Sequence, residues 1–420
     1  MNKRFKVVTL GCRTNQYESQ GYQDQLVQLG FSQAKESETA EICIVNTCTV
    51  TESADSSSRH AIRQLARENP GAKIVVTGCF AERQPETAGA IEGVSLVVSN
   101  KEKEQLVNKL FPEEEIPEFS IKRFEAHTRA FVKVQDGCNS FCTYCIIPYV
   151  RGRSRSRTVQ DVVSEVEELI RNGYKEVVLT GINIGDFDGA PKEGETVARL
   201  SDLVRQVDAV PGLKRLRISS IDPDEVDPDL TDAVVSGRHT CRSMHIVLQS
   251  GSNVILKRMN RKYTRHEFME TVDRLKSIDP DFTFTTDIIV GFPGETEEDF
   301  QETLEVMREV KFAKVHMFPY SDRPRTRSNL MPNKVPKEVI QRRKAELLEL
   351  AENQSYALRE QFIGRRMTVL TESKEKEGWI LGHTDNFLPV LIESDAIQPN
   401  ELIDVELIEN TPAGLIGKRC

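Results

Sequence analysis

The chain has 420 residues, 38% hydrophobic and 29% charged, enough for two or three domains with sizeable cores. A net charge of −9 excludes a polycation that grips nucleic acid over its whole surface, so such binding would need local basic patches. No apolar run approaches the roughly 18 residues that span a bilayer.

The start, Met1–Leu10, combines basic residues with a short apolar run. It reads as a first strand and not as a secretory segment, which makes the expected location cytoplasmic, with no membrane partner. Three similar punctuations follow: "FKVVTLGC", "EICIVNTC" and "AKIVVTGC", ending at Cys12, Cys48 and Cys79. Each is a β-branched run closed by cysteine, and helix-like stretches (Glu18–Leu29, Ser57–Glu68) lie between them. Strand–helix alternation implies a doubly wound parallel sheet. Ligands of such sheets gather outside the carboxyl ends of the strands, so these three cysteines can meet at one rim. The alternative is that they are buried core thiols, as Cys43 inside its strand is expected to be. The proline-bearing acidic stretch Phe111–Phe119 closes this segment, giving a first domain over 1–115.

A second alternation spans 124–355. Strands are predicted at 131–136, 176–181, 214–220, 243–249, 282–290 and 313–318, with helices at Thr158–Asn172, His266–Ser277, Glu297–Val310 and Lys337–Asn353. Six βα units predict a six-stranded partial barrel, short of the eight-stranded form. Its first strand runs into "DGCNSFCTYCIIPYVRGRSRSR", which places Cys138, Cys142 and Cys145 at the carboxyl-end mouth. A closed zinc site takes four protein ligands, and no Cys or His follows closely after Cys145. Ordinary cubane clusters also take four cysteines. Three cysteines would leave one iron of a cube free to bind something else. The last segment, 358–420, contains short strands in "RRMTVLTES", "GWILGHT", "FLPVLIE" and "LIDVELIEN", and reads as a small all-β barrel.

The Cx3Cx2C spacing with Tyr144 before its last cysteine resembles the signature of the radical S-adenosylmethionine superfamily. The N-terminal triad, the radical core and the C-terminal barrel together resemble its methylthiotransferase family. "ISSIDPDEVDPDL", "LQSGSNVILKRMNRKYT" and "TTDIIVGFPGETEEDF" look most like the branch acting on N6-threonylcarbamoyladenosine in tRNA; sister branches act on isopentenyladenosine in tRNA or a ribosomal-protein aspartate. The resemblance implies two 4Fe–4S clusters, one on Cys138, Cys142 and Cys145 and one on Cys12, Cys48 and Cys79. It also implies S-adenosylmethionine, a TRAM-like third domain, a tRNA partner, and electron and sulfur donors the sequence does not identify. By the same resemblance Tyr144, Thr180, Gly181, Asn183, Ser219, Gln249 and Gly291 would line the cofactor site. A metal-bearing RNA-binding protein without catalysis is the reading from another class.

Basic residues cluster after barrel strands. Arg151, Arg153, Arg155 and Arg157 alternate, so an extended chain would show them on one face, and Arg153 and Arg155 are expected to meet tRNA phosphates. "KRMNRKYTR" adds Lys257, Arg258, Arg261, Lys262 and Arg265. The last segment holds six Lys and Arg against ten Asp and Glu from 364 onward, so contacts there would rest on Arg365, Arg366, Lys418, Arg419 or Trp379. Arg323, in "MFPYSDRPRTRSN", is expected to enter the mouth and pair the carboxylate of a threonylcarbamoyl group. Arg325 stands where the family pattern has glycine and offers a second cation. Cys241 and Cys420 have no partners by spacing.

Overall fold

The structure is a computed structural model that describes residues 3–117, 119, 121, 128–193, 196–374, 378–393 and 397–420. Glu118 of the acidic stretch and the expected boundary at 124 lie outside the described residues.

Five strands, β1 (Arg4–Thr9), β2 (Ser32–Gln33), β3 (Ile42–Thr47), β4 (Lys73–Gly78) and β5 (Val94–Val97), form one parallel sheet in the order β2-β1-β3-β4-β5. Every residue of β3 is buried, as a central strand covered on both faces requires. Helices Arg13–Gln28 and Glu52–Glu68 cover the sheet, the second capped by Thr51, whose hydroxyl accepts from the Ala54 N–H at 3.1 Å. The expected doubly wound domain is present. Because β1, β3 and β4 are neighbours, the residues just past their carboxyl ends share one rim.

The central domain is the expected open barrel. Strands β6 (Arg129–Lys133), β9 (Glu176–Thr180) and β10 (Arg215–Ile218) form one parallel sheet. Strands β11 (Ser243–His245), β12 (Thr283–Val290) and β13 (Lys314–Pro319) form another. Bridges Leu216–Thr240 and Ile221–Ile246 join the two, leaving the gap between β6 and β13. The expected strand 131–136 is broken: Gln135–Asp136 (β7) turns aside to pair with Arg155–Ser156 (β8), closing the cysteine loop as a hairpin. Helix Arg13–Gln28 packs along β6, with the Tyr17 hydroxyl donating to Glu165 at 3.1 Å, so the N-terminal domain flanks the barrel opening.

The C-terminal strands β14 (Arg366–Lys374), β15 (Trp379–Thr384), β16 (Pro389–Glu393), β17 (Leu402–Thr411) and β18 (Gly414–Arg419) close into a barrel, order β14-β15-β16-β18-β17. The fifth strand was not legible in "GLIGKR". This small barrel seats on the amino-terminal ends of the central strands, opposite the mouth. Arg215 donates to the carbonyls of His383 (2.8 Å) and Thr368 (2.6 Å), and Arg217 to those of Asp385 (2.8 Å) and Thr384 (2.9 Å). Arg365, one of the cations expected at tRNA, instead pairs with Asp281 across this junction. Helix Lys337–Glu360 joins the two barrels and runs one to two turns past its expected end. Among the described residues no helix is long and apolar enough to cross a membrane.

Candidate active site

Cys12, Cys48 and Cys79 follow β1, β3 and β4 and meet at the rim. Gly11 shows how tight the meeting is: at φ +92° it lies so close to Cys48 that an added Cβ would stand 2.8 Å from the sulfur. Burial pushes the Cys48 thiol up to about 12, with the neighbouring Cys79 and Cys12 adding to the rise. Burial likewise raises Cys79, while the adjacent Arg151 works against it. Cys43 points into the core, as expected.

Cys138, Cys142 and Cys145 gather at the barrel mouth. Gly137 (φ +75°) lets the loop start, since a Cβ there would stand 2.1 Å from the Arg153 carbonyl. The Ser140 N–H donates to the Cys138 sulfur at 3.3 Å, and Arg261 Nη1 donates to the Cys142 sulfur at 3.1 Å. Burial, then the charge of Cys142, raises Cys145 far above an ordinary thiol. Among the described residues no three Cys, His, Asp or Glu side chains are already arranged around a single-ion position. Two sets of three thiols, each mutually close and each beside a guanidinium, are a donor set that fits two polynuclear clusters with an open corner. Thiols raised by burial deprotonate when a metal binds them.

A cavity of about 300 Å³ lies between the triads, with Tyr144, Cys145 and Gln249 on the barrel side and Val50 and Thr51, just past Cys48, on the other. The Gln249 amide oxygen, in this cavity's wall, and the Ser219 hydroxyl, just past the end of β10, are buried with no hydrogen-bond partner among the described residues. Such atoms fit a polar ligand. Thr180 is buried at the end of β9, and the backbone after Gly181 is fixed by Gln135, whose Oε1 accepts from Ile182 (2.9 Å) and Asn183 (3.0 Å). Asn183 donates to Glu225 Oε1 at 3.0 Å and reaches Ser140 of the cysteine loop at 3.4 Å. Burial, then Asp222, raises the Glu225 carboxyl to about 8. Tyr144 stands edge-on to Phe292 at 6.4 Å. Gly291 (φ +81°) is crowded by Ile340, and its N–H donates to Glu295 at 2.7 Å, so its need for glycine is met within the protein.

The basic residues correct three expectations. The four alternating arginines do not share a face, because Arg151 ends the short helix Ile147–Val150 and Gly152 (φ +80°) turns the chain. Arg151 is fully buried: Nη1 donates to Glu18 (3.0 Å) and Asp136 (2.9 Å), and Nη2 to Asn15. Lys103 bonds the same two carboxylates at 2.6 Å each. Burial opposes ionisation of Glu18, yet Arg151, Lys103 and Lys133 hold its carboxyl down at about 2. Arg157 pairs with Glu165 at 2.6 Å. Only Arg153 and Arg155 are exposed, with Arg153 over the Phe141 ring at 4.4 Å. Arg261, expected at phosphates, is likewise turned inward, pairing with Asp222 beside Cys142. Arg323 is buried at the domain junction, where it donates to Asp55 at 2.6 Å; Asp55 also pairs with Arg83 and accepts from Thr49. Arg325 is exposed at φ +72°. Arg151, Arg261 and Glu225 acquire their roles from partners distant in sequence, which no local pattern signals.

A model of the radical SAM superfamily matches residues 132–307, and one described as uncharacterized protein family UPF0004 matches residues 4–99. Threonylcarbamoyladenosine tRNA methylthiotransferase MtaB of Chlamydia pneumoniae is 48% identical over 99% of this chain and 97% of its own length. The chain belongs to the radical S-adenosylmethionine tRNA methylthiotransferases. The protein of the same name from Bacillus subtilis (strain 168) is 35% identical over 96% of this chain and 93% of its own. The tRNA-2-methylthio-N(6)-dimethylallyladenosine synthase of Finegoldia magna is 33% identical over 99% and 94%. Among solved structures, the radical S-adenosylmethionine methyltransferase TsrM from Kitasatospora setae, with cobalamin and an iron–sulfur cluster bound, covers 79% of this methylthiotransferase and 77% of its own chain. Its TM-score of 0.57 at 15% identity is a likeness of fold.

Proposed function

We propose that this methylthiotransferase inserts a methylthio group at C2 of N6-threonylcarbamoyladenosine, beside the anticodon of tRNA. The observation that carries this reading is the 48% identity, along nearly the whole of both chains, to a relative named for that substrate. Cys138, Cys142 and Cys145 would hold one 4Fe–4S cluster, and Cys12, Cys48 and Cys79 a second. Such clusters, when bound, would supply an electron for the reductive cleavage of S-adenosylmethionine and the sulfur for insertion.

The chain's own residues bind, orient and exclude water. Arg261 places a positive charge on the Cys142 sulfur and is itself steadied by Asp222. Asn183, which also donates to Glu225, links the end of β9 to the cysteine loop through Ser140. Ser219 and Gln249 offer unpaired oxygens to the ribose, and Tyr144 an aromatic wall. The N-terminal domain flanks the opening, held by the buried Glu18–Lys103–Asp136–Arg151 cluster, which fixes one triad against the other. Arg323 serves this junction through Asp55. Exposed Arg153 and Arg155 flank the mouth for tRNA phosphates. Electrons and replacement sulfur would come from separate donor molecules.

The test is anaerobic reconstitution with S-adenosylmethionine and tRNA carrying either threonylcarbamoyladenosine or isopentenyladenosine, followed by mass spectrometry of the nucleosides. Methylthiolation of the first alone supports the reading. Methylthiolation of the second alone moves the chain to the sister branch, and metal binding without cofactor cleavage returns it to a non-catalytic RNA-binding role.

A further inference from the structure

Arg13 stands apart from the other arginines around the barrel. It directly follows Cys12 and is the first residue of the helix that packs along β6 beside the barrel opening. Its guanidinium lies over the Phe131 ring of β6, 5.7 Å from the centroid. Phe131 shares its face of β6 with Arg129, two residues away, which pairs with Glu176 of β9 inside the barrel. Arg13 therefore enters the lumen through the gap, between the strands that border it. Its side chain is exposed to water in the open chamber.

The surrounding guanidiniums each hold a carboxylate: Arg129 and Arg217 on Glu176, Arg151 on Glu18 and Asp136, Arg261 on Asp222, and Arg323 on Asp55 through Nη2, its Nε and Nη1 buried without a partner among the described residues. Arg13 makes no ion pair among the described residues. The nearby Asp287 carboxylate stands 3.3 Å from His245 Nε2, and Glu176 is ringed by arginines. A guanidinium held near an aromatic ring and bound to no carboxylate has N–H groups to spare, and their fork matches the two oxygens of a carboxylate. The position sits beside Cys12, where sulfur transfer would occur, so a substrate presenting its base to the triads would extend its N6 group into this chamber.

We infer that Arg13 is the specificity-determining residue that pairs the carboxylate of the threonylcarbamoyl group. This rests on the substrate reading above and assigns to Arg13 the role that sequence alone suggested for Arg323. An isopentenyl group offers nothing to such a cation, and a site built around a charged partner discriminates strongly against its absence.

The experiment compares anticodon stem-loops carrying threonylcarbamoyladenosine as the free acid, as its methyl ester, and isopentenyladenosine. Wild type, Arg13→Lys and Arg13→Met are each assayed for methylthiolated product. The acid-to-ester ratio of kcat/KM is taken within each variant, so any change in cluster content cancels. Wild type is expected to favour the acid by about 100-fold, Arg13→Lys to keep part of that preference, and Arg13→Met to bring the ratio to about one. The same ratio in equilibrium binding to the cluster-free chain gives a readout that needs no turnover. A ratio retained by Arg13→Met in either measurement overturns the assignment. Wild type that methylthiolates only the isopentenyl stem-loop overturns the substrate reading instead.

Discussion

Arg151→Met tests the cluster that joins the two triad-bearing domains. The substitution keeps an apolar stem of similar length and removes one cation from a site with no solvent exposure. Two carboxylates lose a charge-assisted bond each, Glu18 at 3.0 Å and Asp136 at 2.9 Å, and Asn15 loses its donor. Removing one partner of a buried pair costs about 3–5 kcal/mol. Lys103 still bonds both carboxylates at 2.6 Å, so the expected loss lies at the lower end, about 3 kcal/mol. The pH dependence carries a definite sign. Glu18 is depressed from 4.5 to about 2 in the folded chain, so its contribution is full above 4.5 and disappears as pH falls through about 2. The gap between wild type and variant should therefore shrink across that window. Urea unfolding of the metal-free chain, followed by circular dichroism at several pH values, measures both. A loss below about 1 kcal/mol, the size of an exposed pair, or a gap indifferent to pH, would refute the reasoning.

Arg325 holds a left-handed backbone conformation that costs a non-glycine residue about 1 kcal/mol, so Arg325→Gly should leave thermal stability unchanged or raise it by up to that amount; a lower melting temperature would mean the side chain is needed. Glu225 is raised from 4.5 to about 8, so the folded carboxyl keeps a proton that the unfolded one has lost, and stability falls as pH rises across that interval. Glu225→Gln should flatten this decline in urea midpoints taken over the same range, and an unchanged slope would count against it. Replacing Arg153 and Arg155 together by Ala should weaken tRNA binding and reduce its salt dependence by about one unit of log–log slope per lost phosphate contact; an identical slope would place both side chains away from the RNA.

Much of the architecture was written in local patterns. The β-branched runs ending at Cys12, Cys48 and Cys79 mark adjacent parallel strands, and strand ends are where such a sheet presents its ligands. Helix Glu297–Val310 matched its expected ends because Thr296 and Asp299 form a capping box and Lys311 closes it at φ +58°. The arginines depart from the extended-chain pattern for an equally physical reason. Alternation implies a shared face only in an extended chain, and Gly152 turns this one. Arg261 finds Asp222 39 residues away, and Arg323 finds Asp55 268 residues away. Such partners depend on how the barrel closes, for Arg261, and on how the domains dock, for Arg323, which no spacing encodes. The C-terminal barrel was legible as a barrel, but its seat against Arg215 and Arg217 was not.

The central claim is that two cysteine triads divide the reaction between them. It is tested most directly by measuring 5′-deoxyadenosine and methylthiolated nucleoside together in Cys142→Ala and Cys48→Ala after anaerobic reconstitution. Cys142→Ala should form neither product while retaining iron at the N-terminal triad. Cys48→Ala should still form 5′-deoxyadenosine but no methylthiolated nucleoside. Methylthiolated product from Cys48→Ala would contradict the account, because the second triad would then have no part in sulfur insertion.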